Sequence, residues 1–227
     1  MAKKRILVFA SGTKNGGGSG LANLHEQARI TPGLNYEVVG VASNFEHGGV
    51  RRHAEARQVT FRHFSSGVWS GEEYQRLVQE FQPDLVALSG WLKPVRGLSA
   101  GRVINIHPGP LTRKEMGKPL YGGKDMHGDA IHAAVLKNKE KFTAVTMHFV
   151  PSFDGRGYDC GPVFFEKRIP ILPDDTIDTL RKRVNAVEHE WQPYLTSLVA
   201  HNHIWYDEDL AGKVGSNPAC FPFFPRQ

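Results

Sequence analysis

Two cysteines in 227 residues are too few for a disulfide scaffold and suit a reducing compartment. No stretch approaches the ~18 uninterrupted apolar residues that a membrane span needs. Lys3, Lys4 and Arg5 make the N-terminus basic, but the apolar run from Ile6 to Ala10 is too short for a secretory segment, and no small-residue cleavage site follows it. A cytoplasmic setting is therefore expected. Internal repeats are missing, and the only low-complexity stretch is a glycine cluster near the start. No basic run exceeds three residues, and aromatics do not interleave with a basic face, so a nucleic-acid partner is not expected. Neither His-Glu-x-x-His nor Cys-x-x-Cys occurs. Despite 11 histidines, His201 and His203 among them, no metal is expected.

What is present is a basic excess, 28 Lys and Arg against 23 Asp and Glu, for a formal charge of +5. Such a charge permits an anionic small molecule without identifying one. At about 150 residues per domain the length predicts one domain and a tail. The pattern divides as a single domain over 1–200, with halves at 1–100 and 101–200, and an irregular tail over 201–227.

Apolar, β-branched runs recur at residues 5–10, 36–43, 59–64, 84–90 and 102–107. Between them, helical spacing covers 21–30, 50–58 and 72–81. The runs are apolar throughout rather than alternating, which predicts strands buried on both faces in a parallel sheet covered by helices. Two longer strands, 143–150 and 162–171, are expected to pair antiparallel around a turn-rich loop. A final helix is expected from an N-cap at Asp175, with Leu180, Val184, Val187, Trp191, Leu195 and Leu198 on its apolar face.

Three segments carry candidate chemistry. The first, residues 11–20, follows the first strand and opens the first helix. Its glycines let the backbone approach an anion at a helix N-terminus. It lacks the G-x-G-x-x-G dinucleotide pattern. It also has Gly18 where a Walker loop would place its lysine, so an anion is expected but its class is open. The second is Asn105 and His107, two apart on one strand and hence on one face, at the carboxyl end where open α/β sheets bind ligands. An amide beside an imidazole suits acyl transfer, although a mutually satisfied pair would look the same. The third is Asp159, which could orient His107 or serve only as a turn residue. Cys160 beside it has no histidine at a spacing that would make it a nucleophile.

Together these segments resemble the folate-dependent formyltransferases, from Arg5 to about Leu198, and within that family the members acting on glycinamide ribonucleotide. "INIHPGPL" is similar to the family's N-x-H-P-S-L-L. "FVPSFDGRGYDCGPVFFEKRIPI" is similar to the stretch ending in D-x-G-P. "DDTIDTLRKRVNAVEHEWQP" resembles the closing helix with E-H-x-x-x-P, and "SGTKNGGGSGLANL" the phosphate loop. The resemblance implies a Rossmann-like N-terminal half with parallel strands, continuing into a mixed sheet flanked by helices. It implies formyl transfer from 10-formyltetrahydrofolate to a primary amine, without a metal, nucleic acid or membrane.

By the same resemblance, Asn105, His107 and Asp159 would be catalytic. An Asn105 N–H would stabilise the developing oxyanion, His107 would carry a proton, and Asp159 would raise the His107 pKa. Gly12, Gly18, Ser19 and Gly20 would hold the substrate phosphate, with Asn185 and Glu188 on the rest of the acceptor. Leu92, Lys93, Pro94, Val95, Arg156, Gly157 and Tyr158 would line the folate pocket. Two departures stand out: Gly20 replaces the family's usual Asn, and residues 143–146 lack an expected histidine, so no accessory histidine is foreseen. A different phosphorylated amine, such as an amino sugar nucleotide, remains an alternative acceptor. A non-catalytic nucleotide-binding module is the alternative from another class.

Overall fold

Ile6, Leu7, Val8 and Phe9 expose no surface, which places the first strand, β1 (Lys4–Phe9), in the middle of the molecule. The computed structural model describes residues 2–65, 67–155, 157–207 and 213–217. After β1 come α1 (Ser19–Ile30), β2 (Tyr36–Ser43), α2 (Gly49–Glu55), β3 (Phe61–His63), α3 (Gly71–Phe81), β4 (Leu85–Ser89) and β5 (Val103–His107). The second half holds β6 (Lys114–Glu115), β7 (Lys118–Pro119), α4 (Asp129–Lys137), β8 (Phe142–Phe149), β9 (Val163–Pro170), α5 (Ile177–Ala200), β10 (Ile204–Asp207) and β11 (Lys213–Ser216).

Seven strands form one sheet in the order β3-β2-β1-β4-β5-β8-β9. The first five pair in parallel, and β8 and β9 pair antiparallel. Alternate residues of β1 feed two cores. Ile6 and Val8 pack with Leu21, Leu24, Trp191 and Leu195 beneath α1 and α5, whereas Leu7 and Phe9 pack with Tyr74, Leu77 and Phe81 of α3. Each such side chain, fully buried, favours folding by ~1.5–3 kcal/mol. The order reverses between β1 and β4, so the carboxyl ends of these strands open a crevice, the usual ligand position in open α/β sheets. No helix among the described residues is long and apolar enough to cross a membrane.

Helix α3 starts in a full capping box of Ser70 and Glu73. The α5 cap is Thr176 rather than the expected Asp175. Asp175 instead accepts from the Leu172 N–H at 2.7 Å and pairs with Arg183, bracing the turn ahead of the helix. Within α5, Pro193 has no N–H to offer the carbonyl one turn back. That carbonyl, on His189, accepts instead from Asn23 Nδ2 of α1 at 2.7 Å, which ties the two helices flanking the crevice.

The first half matches the expected strands and helices closely, with α2 ending at Glu55 rather than Gln58. Three elements were not foreseen: α4, the β6–β7 hairpin, and the β10–β11 pair. The last of these replaces part of the expected irregular tail with an antiparallel ladder. The remainder of the tail, 208–212 and 218–227, lies outside the described residues.

Candidate active site

The crevice begins where β1 gives way to α1. Thr13 and Gly16 close a tight turn, with Gly16 N–H donating to Thr13 Oγ1 at 2.8 Å and Thr13 N–H to the Gly16 carbonyl at 2.9 Å. Gly17 has φ +86°, and its Cα face lies so close against Gly12 that a Cβ would overlap it. Gly18 caps α1 at φ +92°, no side chain caps the first turn, and no acidic residue sits there. The first N–H groups of α1 are thus left for an anion. A Gly17→Ala variant combines an unfavourable φ with a backbone overlap. It should lower Tm by at least ~4 °C in a thermal melt and weaken anion binding with it.

The neighbouring strand ends bring in the chemistry. Asn105 of β5 lies opposite His148 of β8 in the antiparallel register, and Asp159 arrives from the loop between β8 and β9 at φ +56°. Asn105 Nδ2 donates to His148 Nε2 at 3.1 Å and to Asp159 Oδ1 at 3.3 Å. The other carboxylate oxygen of Asp159 accepts from the Gly123 N–H at 3.0 Å and lies 3.6 Å from His107 Nδ1. Thr146 holds the turn after β5, its hydroxyl donating to the Gly109 carbonyl at 2.7 Å.

Backbone carbonyls fix both imidazole tautomers, because a carbonyl can only accept. His107 Nε2–H donates to the Tyr121 carbonyl at 2.6 Å, and His148 Nδ1–H to the Phe149 carbonyl at 2.9 Å. A neutral His107 therefore turns its Nδ1 lone pair towards Asp159. A neutral His148 offers Nε2 to Asn105.

Burial holds the His107 pKa below its ordinary 6.5, although the Asp159 charge and the Tyr121 carbonyl pull the other way. The expected net rise is therefore corrected. Asp159 favours the imidazolium, but desolvation outweighs it in the resting site. For Asp159, burial alone would raise the pKa. The neighbouring imidazoles of His148 and His107, with the Gly123 N–H, overcome it and set the carboxyl at about 2. Both N–H groups of Asn105, the donor expected at the oxyanion, are engaged in the resting site. An incoming oxygen must displace one of them.

Two clefts meet at this cluster. One, of about 480 Å³, runs from Gly12, Gly18, Ser19 and Gly20 past His107 to Asn185 and Glu188. The other, of about 690 Å³, is lined by Lys93, Pro94, Val95, Phe153 and Gly157, with His148 on its inner wall. Asn105, Tyr158 and Asp159 face both. Leu92, expected with the second set, lines the first cleft instead, its N–H held by Ser11 Oγ at 3.0 Å. Arg156 lies outside the described residues. Asn185 Nδ2 donates to Glu188 Oε2 at 3.3 Å. Burial pushes the Glu188 carboxyl up to about 7 against that hydrogen bond. Sequence reasoning missed His148, whose place depends on strand register, and also Ser89 and Gln192 in the first cleft. Among the described residues no three His, Cys, Asp or Glu side chains are grouped to hold a metal.

Proton-transfer groups set between two clefts at the strand ends of a mixed sheet define the active site of an α/β enzyme. The family profile described as formyl transferase matches residues 4–196, and the chain belongs to that family. It is 29% identical over 218 residues to the chloroplastic phosphoribosylglycinamide formyltransferase of Arabidopsis thaliana, across 91% of this chain and 69% of that one. It is 26% identical to the trifunctional purine biosynthetic protein adenosine-3 of Bos taurus, spanning 91% of this chain but only 19% of that longer protein. Among solved structures, glycinamide ribonucleotide transformylase 1 from Symbiobacterium toebii superposes with a TM-score of 0.76 at 25% identity, over 93% of each chain.

Proposed function

We propose that the protein transfers the formyl group of 10-formyltetrahydrofolate to the primary amine of glycinamide ribonucleotide, a step of purine synthesis. The observation that carries this reading is the junction itself. Asn105 and Asp159 face both clefts, with His107 on the side of the α1 N-terminus and His148 on the other. The larger cleft has the size and mixed lining of a site for a folate-sized molecule, with Val95, Phe153 and Tyr158 as apolar walls. When bound there, 10-formyltetrahydrofolate supplies an electrophilic formyl carbon.

The roles of the residues follow from their positions. Backbone N–H groups at Gly18, Ser19 and Gly20 bind the phosphate, and Asn185 and Glu188 orient the rest of the acceptor. His107 Nδ1 takes the proton that the amine must lose as the new C–N bond forms, and returns it to the departing nitrogen. Asp159 stabilises the imidazolium in the interval. Asn105 turns one N–H from Asp159 to the formyl oxygen as negative charge develops there, an interaction typically worth about 3 kcal/mol. Lys93, Pro94, Val95, Gly157 and Tyr158 hold the donor, and no covalent link to the protein is needed.

The direct test is formation of tetrahydrofolate by the purified protein supplied with 10-formyltetrahydrofolate and glycinamide ribonucleotide. Turnover that requires this amine supports the proposal. Turnover only with another phosphorylated amine, such as an amino sugar nucleotide, would remove the acceptor assignment. Glu188 gives an independent prediction. Because its carboxyl titrates at about 7, the acceptor KM should fall as pH rises through that value and ionises it. In Glu188→Gln the KM should become flat with pH and higher above pH 7 than in the parent.

A further inference from the structure

Position 20 is the second residue of α1, where a side chain would point into the acceptor cleft, yet it is glycine. A Cβ built there falls on the hydroxyl of Ser89 and lies 3.4 Å from Gln192 Oε1. The volume of the missing side chain is thus already filled by polar groups from two other elements. Ser89 ends β4, the strand beside β1 at the sheet's switch point, and Gln192 comes from α5. Both line the cleft. Gln192 is 1% exposed, yet no side chain or backbone group among the described residues hydrogen-bonds its carboxamide, and none bonds the Ser89 hydroxyl. A carboxamide and a hydroxyl left without protein partners on a cleft wall are free to hydrogen-bond a ligand there.

We propose that the Ser89 hydroxyl and the Gln192 carboxamide replace the side chain absent at Gly20, and bind the acceptor's phosphate end beside the α1 N-terminus. This deepens the acceptor reading above and rests on it. Ser89 donates its O–H to a phosphate oxygen, adding a side-chain donor to the row of backbone N–H groups. Gln192 donates Nε2–H to the same phosphate or to the sugar hydroxyl next to it. These are positioning contacts for the phosphate end, remote from the formyl carbon. They should therefore act on acceptor affinity rather than on donor affinity or the pH profile.

The experiment moves the hydroxyl between the two elements. Ribose 5-phosphate is titrated by calorimetry into the parent, Ser89→Ala, Gln192→Leu, Gly20→Ser and the Gly20→Ser/Ser89→Ala double variant, with unphosphorylated ribose as the control. Ser89→Ala is expected to weaken ribose 5-phosphate by ~10-fold, as loss of a hydrogen bond to a charged group does. Gln192→Leu should weaken it by a similar factor. Gly20→Ser alone should be impaired by overlap with Ser89. In the double variant, a hydroxyl now carried on α1 should restore affinity to within ~3-fold of the parent. In turnover, the single variants should raise the acceptor KM and leave the 10-formyltetrahydrofolate KM unmoved. Unchanged ribose 5-phosphate affinity in Ser89→Ala, or a double variant no better than its weaker parent, would overturn the proposal. Because the titration needs no formyl transfer, it reads the site even if glycinamide ribonucleotide proves not to be the acceptor.

Discussion

His107→Gln is expected to lower kcat/KM by at least ~100-fold while donor binding survives, the usual scale for removing a proton-transfer group. Glutamine is chosen over alanine for a structural reason. The Nε2–H of His107 satisfies the buried Tyr121 carbonyl at 2.6 Å, and glutamine can place an N–H there while supplying no titrating nitrogen at Nδ1. Alanine would also leave a cavity and an unpaired carbonyl, costing ~1–3 kcal/mol and confusing the readout. The pH profile adds a second check. The parent must hold His107 neutral to accept a proton, and burial keeps its pKa below 6.5. At saturating acceptor its kcat should therefore fall in acid, with a limb below that value, and this limb should vanish in the glutamine variant. Near-parental activity in His107→Gln would show that the proton leaves by another route.

The central parallel strands were legible because burial on both faces leaves an unmistakable mark: runs such as Ile6–Phe9 and Leu85–Leu88 carry no polar alternation, whereas the edge strand β3 exposes Arg62 and His63. Asn105 and His107 were legible for the converse reason, as polar residues two apart on such a run. The β6–β7 hairpin was not. Residues 112–128 are rich in lysine and glycine without any period, and the two strands of the hairpin are two residues each. The β10–β11 ladder depends on Gly215 lying under the Trp205 ring, a cross-strand contact that single-strand spacing cannot reveal. His148 was hidden by register. Alternation along β8 puts it on a face, but only the pairing of β5 with β8 puts it opposite Asn105. The hydrogen-bond state of Asn105 was further out of reach, because both imidazole tautomers are set by carbonyls that only the folded chain brings near. Ser89 and Gly20, 69 positions apart, share one volume for the same reason: the strands before them are neighbours across the switch point.

Asp159→Asn should be the most damaging isosteric change, with kcat/KM reduced on the order of 10³-fold, comparable in kind to neutralising the carboxylate of other carboxylate–imidazole pairs. The carboxylate oxygens accept from the Asn105 amide on one side and from the Gly123 N–H on the other. An amide offers only one oxygen, so whichever way it turns, a donor faces a donor. It also removes the charge that stabilises protonated His107, so the acid limb of the residual rate should move to lower pH. A stability measurement separates this charge effect from disruption. The Asp159 pKa is about 2 in the folded protein against an ordinary 3.8. A depressed carboxylate pKa stabilises the fold above the unfolded value, and the contribution is lost as pH falls through the folded one. That contribution is about 2 kcal/mol at neutral pH, and it should disappear from the parent between about pH 4 and 2. In Asp159→Asn this part of the denaturant midpoint's pH dependence should be missing. If the variant kept more than a tenth of parental turnover with an unshifted acid limb, the carboxylate would not be serving the imidazole at all, and the 3.6 Å approach to His107 would be a structural contact alone.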